Sequence, residues 1–289
     1  MIMTSVAMSA VWVSAAPQGM PLVDALVADV GERVAEYCRR AQHVVCVETS
    51  TVQPVQSNMS PDGMARTVES ELRLEPADPD GDPLVDVRII RDIRRINGRA
   101  PRERDTKDRS GCTDPTPLSP EPLGFLLPAH RAEYQFTAVR NGKEKERAAL
   151  VIDFMSVTRK SRPELIEDEG GHDDCFDWSG PIANSGRVWI DAGTHDVLRV
   201  ERRIDGPTEV RVPWTLQRRY NFDAWVVIDR NDETMSFKPV TFRDPDEVII
   251  LPVSTESLTL MRGGLQSTRR SGTYSDYHRF LTASRVKVQ

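Results

Sequence analysis

Residues 68–74 read VESELRL, and the spacing of their apolar residues indicates the class of fold. Val68, Leu72 and Leu74 share one face of an extended chain, while the charged residues between them share the other. A period of two residues is typical of an antiparallel strand that is buried on one side. The stretch therefore predicts a sheet with one face on a core and the other face in water.

The same pattern recurs over most of the chain. It appears at 85–89, 150–154, 188–190, 198–200 and 210–216, followed by an apolar run at 248–251. Turn signals separate these stretches, namely Asn97-Gly98, Asn141-Gly142 and Asp205-Gly206-Pro207. We expect about ten strands in one antiparallel sheet, a number near which open sheets curl or close.

One helix precedes the strands. Apolar residues recur at steps of three and four from Val23 to Cys38, and Pro21 suits a first helical turn. This spacing predicts an amphipathic helix over about 21–42. No linker divides the strands, so residues 16–289 are expected to form a single β-rich domain. The predicted fold is mainly β, a curled antiparallel half-barrel or open barrel with one N-terminal helix.

The N-terminus has the features of a secretory signal. Residues 6–13 are apolar and uncharged, and Val13 and Ala15 stand at the −3 and −1 positions that signal peptidase reads. We predict a signal peptide over 1–15 and a periplasmic or secreted protein. Residues 1–5 contain no Lys or Arg, so a short buried helix is the alternative. No later segment is long enough to span a bilayer.

Four cysteines form an even set, which in an exported chain favours two disulfides. None forms a Cys-x-x-Cys pair, so no metal site is expected. We predict a bond between Cys112 and Cys175, because both lie in loop-like stretches. Cys38 and Cys46 would form the second bond, although three connectivities are open.

Two stretches are predicted to be irregular. Residues 101–122 contain five prolines, which exclude a central strand. Residues 164–177 contain seven acidic residues and no Lys or Arg. At the end of the second stretch, Phe176 and Trp178 flank an acidic residue and are either an exposed partner contact or packing over the disulfide.

Charge restricts the class of partner. The 38 basic and 44 acidic residues give a net charge of −6, which argues against a nucleic-acid binder. Residues 88–109 carry nine basic and four acidic side chains. One interpretation is a site for phosphate or anionic lipid. The other is a solvated strand face and loop whose charge is balanced by acidic residues of the same chain. We favour self-neutralisation.

The sequence contains no Gly-x-Ser-x-Gly, His-Glu-x-x-His, Gly-x-Gly-x-x-Gly or P-loop pattern. We therefore assign no catalytic residue and no cofactor.

Three segments carry a resemblance. They are 95–105 with Asn97-Gly98, 186–191 with sequence GRVWID, and 274–280 with sequence YSDYHRF. They resemble uncharacterised exported bacterial proteins whose strand pattern is similar to that of the periplasmic lipoprotein carriers. The resemblance implies a half-barrel with an apolar concave side, for which Trp189, Trp214 and Trp225 are candidate lining residues. Trp189 is expected on the face opposite Val188 and Ile190.

A curled sheet only partly covered by a helix leaves an apolar cleft. We therefore expect a non-catalytic carrier for an apolar ligand or a lipid-modified partner. The alternative is an envelope interaction or assembly module whose core is filled by its own side chains, and an envelope hydrolase comes third.

Overall fold

The fold is described here from a computed structural model, which covers residues 20–76, 87–102, 121–157, 162–167, 176–243 and 245–279. The predicted signal peptide lies outside these residues, as does most of the proline-rich stretch. No helix in the described part of the chain is long and apolar enough to cross a membrane.

The described residues form two α-helices, two 3₁₀ helices and thirteen strands. The helical elements are α1 (Met20–Ala41), two 3₁₀ helices η1 (Glu121–Leu126) and η2 (Arg131–Glu133), and α2 (Trp214–Tyr220). The strands are β1 (Val44–Val55), β2 (Arg66–Pro76), β3 (Val87–Ile96), β4 (Tyr134–Glu144), β5 (Arg147–Ser156), β6 (Glu164–Glu167), β7 (Phe176–Ser179), β8 (Asn184–Asp191), β9 (Val197–Ile204), β10 (Thr208–Arg211), β11 (Trp225–Arg243), β12 (Asp246–Arg262) and β13 (Ser267–Arg279).

All thirteen strands belong to one sheet. Ten of them form its main path in the order β3-β2-β1-β13-β12-β11-β9-β8-β5-β4, and every pair along this path is antiparallel. The path ends at β3 on one side and β4 on the other, so the sheet is open. The predicted fold class is confirmed, and the main path has the expected number of strands.

The sheet curls around α1. Val27, Val30 and Val34 lie on one stripe of the helix and are fully buried, as their spacing predicts. This stripe packs against β5, β8, β9 and β11. Tyr37 also packs against the core formed by β1, β2, β12 and β13, so the helix contacts both wings of the sheet.

A small branch leaves the main path at β11. Strand β10 pairs with β11 and, through Arg211, with β6, which in turn pairs with β7. The prediction of an irregular stretch over 164–177 is therefore wrong at its two ends. Leu165 faces the buried core of this branch, and the burial gained there stabilises a short strand despite the acidic composition.

The structure corrects two further local predictions. The alternation at 210–216 does not continue as a strand, because Pro213 interrupts it and α2 begins at Trp214. The turn predicted at Asn141-Gly142 lies instead at Lys145-Glu146, since Gly142 pairs with Ala149 within the hairpin. A Cβ at residue 142 would lie 2.8 Å from Cγ2 of Val151, so any larger residue there would have to displace that side chain.

Neighbouring strands neutralise the basic residues of β3. Arg91 forms an ion pair with Glu48 of β1, while Arg94 and Arg95 pair with Glu71 and Glu69 of β2. Self-neutralisation is thus observed for these three arginines, and the neutralising carboxylates belong to β1 and β2 of the same sheet.

Candidate functional site

An open apolar cleft lies between the first turns of α1 and the edge strand β4. Its volume is about 960 Å³. The apolar side chains that line it come from the helix, from β4 and the turn before it, and from the end of β5: Leu22, Val23, Val27, Pro128, Ala132, Tyr134, Phe136, Val139 and Val157. Asp24 and Arg131 are the charged residues of its lining, one of each sign.

Two aliphatic side chains of the cleft remain in water. Leu22 is 66% exposed and Val157 is 60% exposed, although both are large and apolar. Leu22 stands beside the buried stripe of α1, and Val157 directly follows the last residue of β5. Exposed apolar side chains that converge on one concave site mark a binding surface far better than scattered ones do.

The cleft has an aromatic floor. The ring of Phe125, on η1, stacks on Phe154 at 4.2 Å between centroids. Tyr134 and Phe136 of β4 lie 5.5 and 6.4 Å from the same Phe125 ring. These ring contacts join η1 to β4 and β5, so the floor is preformed.

Beyond this floor, the described residues fill much of the concave side of the sheet. Helix α1 and η1 occupy it together, and the space left between Val34, Leu123 and Phe237 is only about 20 Å³. Helix α1 shares this side of the sheet with η1, which packs beside it. The apolar cleft described above lies at the β4 edge of the sheet.

A polar hollow of about 560 Å³ lies across that edge, on the outer face of the sheet. Gln135 and Thr137 line both the cleft and this outer hollow, so the two meet at β4. Asp153 in the hollow accepts hydrogen bonds from Arg140 at 3.0 Å and Arg187 at 2.9 Å. Burial works to raise the pKa of Asp153, but these two guanidinium groups outweigh it and hold the pKa below its ordinary value.

A second polar cluster is buried on the concave side, far along the sheet from β4. Glu48 is 1% exposed and accepts hydrogen bonds from Arg91, at 2.6 Å, and from Ser70, at 3.3 Å. On neighbouring strands, the hydroxyl groups of Thr255 and Tyr274 are 3.2 Å apart. None of these residues lines the cleft or the outer hollow.

The three tryptophans proposed as lining residues lie elsewhere. Trp189 is on the outer face, opposite the fully buried Val188 and Ile190, and its ring is flanked by two arginines, Arg187 at 5.6 Å and Arg199 at 5.0 Å. Trp214 is 64% exposed on α2, and Trp225 is 49% exposed at the start of β11. None of the three lines the apolar cleft.

Phe176 and Trp178 pack against the small core of the β6, β7 and β10 branch. The Phe176 ring makes edge contacts with Tyr220 at 4.9 Å and Phe222 at 5.0 Å. Both residues are partly buried, which gives them a packing role in this branch.

Cys38 and Cys46 are free thiols in the structure, which corrects the predicted bond between them. Cys38 belongs to the core under α1, whereas Cys46 belongs to the core of the other wing and hydrogen-bonds to Tyr277. Burial raises the pKa of each thiol to about 12. Cys112 and Cys175 lie outside the described residues.

Within the described residues, no group of three or more His, Cys, Asp or Glu side chains is placed to hold a metal ion. Near β4, a ligand would therefore meet apolar side chains in the cleft and paired charges in the outer hollow. Sequence reasoning missed Leu22 and Val157, because alternation and helical period predict which face a side chain takes, not whether a neighbour covers it.

Neither a protein-family model nor the sequence of a curated protein matches this chain. Solved structures with a similar arrangement include a LolA superfamily protein from Nitrosomonas europaea, at 9% identity and a TM-score of 0.36, over 88% of this chain and 93% of that one. The MucA/MucB complex of Pseudomonas aeruginosa matches at 12% identity and a TM-score of 0.22, over 88% and 98%. MucB in complex with MucA(peri) matches at 11% identity and a TM-score of 0.22, over 86% and 94%.

Proposed function

We propose that this protein is an exported, non-catalytic binding protein that shelters an apolar ligand in the cleft between α1 and β4. Removal of residues 1–15 would leave the single domain 16–289 in the periplasm or outside the cell. One observation carries the proposal: Leu22 and Val157, both largely exposed, line the same apolar cleft of about 960 Å³.

The size and lining of the cleft suit an apolar ligand. Sites for small ligands measure roughly 300–1,000 Å³ and are mostly apolar, with few polar groups. Each buried CH₂ group contributes about 0.8 kcal/mol, so about ten of them contribute about 8 kcal/mol before the entropy cost of association. An acyl chain is the simplest ligand that supplies such a row of CH₂ groups.

A second candidate is supported by the filled concavity. Because α1 and η1 occupy the space inside the sheet, the protein needs no ligand to complete its core. In that case it is an envelope interaction module, and a partner protein covers Leu22 and Val157.

Titration with a fluorescent fatty acid, cis-parinaric acid, tests the proposal on the exported chain. Wild type should bind it, and palmitate should displace it. Leu22→Glu replaces an exposed leucine by a carboxylate, so it should preserve folding while weakening binding about 10- to 100-fold.

Met64→Glu is the matched control, since Met64 is 90% exposed and does not line the cleft. Its affinity should equal that of wild type. If wild type fails to bind, or if both variants bind as wild type does, the acyl-binding cleft is refuted and the interaction module replaces it.

A further inference from the structure

We infer that the free edge of β4 binds an extended peptide segment in which apolar side chains alternate with uncharged polar ones. The inference rests on the proposed function, because the apolar side chains of the peptide would enter the same cleft. It goes further by naming a ligand class and by assigning a role to the backbone of β4.

Among the described strands, β4 pairs only with β5. The N–H of Val157 donates to the C=O of Glu133 at 2.8 Å, so the backbone groups of residue 133 point toward β5. These groups alternate along an antiparallel strand. The N–H and C=O of Phe136 therefore point away from β5, toward the free edge, where an added strand would pair with them.

The two faces of the sheet at this edge differ in polarity, which suits an added strand whose side chains alternate between apolar and polar. Phe136 lines the apolar cleft on the concave side, whereas Gln135 and Thr137 also line the polar outer hollow. Successive side chains of an added strand would point to opposite faces. One set would enter the cleft and the other set would enter the outer hollow.

Charge defines the polar half of the peptide. In the outer hollow, Asp153 is paired with Arg140 and Arg187, and Glu201 with Arg199. Because the protein compensates these charges itself, the hollow presents no strong field of one sign. Uncharged polar side chains therefore complement it best.

A lipid explains less of this geometry. An acyl chain would fill the cleft, but it has no N–H or C=O groups to pair with Phe136. The regular part of β4, Tyr134–Thr137, precedes an irregularity in the pairing with β5 between Thr137 and Arg140. A short peptide is long enough to cover those four residues.

The test uses the exported full chain and the capped peptide acetyl-Gln-Val-Ser-Leu-Thr-Val-Gln-amide. Acetyl-Val-Val-Leu-Gln-Ser-Thr-Gln-amide has the same composition in blocks and is the matched control. The alternating peptide should bind, displace cis-parinaric acid and slow amide hydrogen exchange at Phe136. The block peptide should bind at least tenfold more weakly.

Two N-methylated forms of the alternating peptide separate strand pairing from apolar contact. One is methylated at odd positions and the other at even positions, and only the form that loses the N–H groups facing β4 should lose binding. Equal binding of both forms, equal binding of the block peptide, or unchanged exchange at Phe136 would overturn the inference.

Failure of the inference is distinguishable from failure of the proposed function. Binding of palmitate without binding of the alternating peptide overturns the inference and leaves the acyl-binding cleft standing. Loss of both overturns both.

Discussion

Leu22 of α1 and Val157, which directly follows β5, line the same cleft, and both side chains are largely exposed to solvent. The rest of the helix stripe is buried against the sheet and η1. The site thus arises where the helix reaches the open edge of a curled sheet. Both the acyl-chain and the peptide proposals depend on this edge.

Gly186→Ala should destabilise the protein by about 3 kcal/mol, because β8 and β9 have no room for a Cβ at this position. The added atom would lie 1.9 Å from the carbonyl oxygen of Glu201 and 2.7 Å from Cζ of Phe154. Gly124→Ala, which meets no atom within 4 Å, is the control and should be close to neutral. Urea unfolding measures both, and equal stability of the two variants would show that the strands do not pack this closely.

Glu48→Ala should lower the free energy of unfolding by about 3–5 kcal/mol, because Arg91 would lose its carboxylate partner in a largely buried site. The double variant Glu48→Leu/Arg91→Met should recover most of this loss, since no uncompensated charge remains. A double-mutant cycle in urea, with Glu48→Leu and Arg91→Met as the two single variants, provides the measurement. If the double variant is as unstable as the sum of the two single variants, the pair is not coupled as described.

Cys38 and Cys46 should resist alkylation in the folded protein at pH 8. Burial raises the pKa of both thiols to about 12, so little thiolate forms and little of it is accessible. When the protein is unfolded without reductant, both thiols should react fully with iodoacetamide. Peptide mass spectrometry would locate the modified cysteines. Recovery of a peptide pair joined through Cys38 and Cys46 would instead restore the disulfide predicted from the sequence.

Asp191 should make stability depend on pH in the acid range. Burial works to raise its pKa, but the backbone N–H groups of Thr194 and Gly193, together with Arg147, outweigh it, so the pKa is lowered on folding. A lowered pKa contributes stability that is present above the ordinary value near 4 and is lost as the pH falls through the folded-state value.

Asp191→Asn should therefore cost about 1–2 kcal/mol at pH 7, and the difference from wild type should shrink as the pH falls below about 4. Urea unfolding of both proteins at pH 7, 4 and 2.5 measures this difference in the free energy of unfolding. A difference that stays constant over this range would mean that the ionised carboxylate does not stabilise the turn after β8.

Sequence periodicity predicted most of the framework and little of the site. The helical stripe from Val23 and the alternation around Val188 and Ile190 identified buried faces correctly, because burial repeats with the geometry of each element. Turn position was less predictable at Asn141-Gly142, where pairing of β4 with β5 extends the hairpin by four residues. The exposure of Leu22 depends on where the sheet ends in space, and local sequence patterns do not predict that position.

Photocrosslinking with a diazirine-labelled palmitate, followed by mapping of the labelled peptides, tests whether the cleft between α1 and β4 binds an acyl chain. An acyl chain in this cleft should leave saturable labels on the first turns of α1, around Leu22, and on β4, around Phe136, and excess palmitate should remove both. Labels on the outer face alone, or labels that palmitate does not displace, would contradict an apolar binding site between α1 and β4.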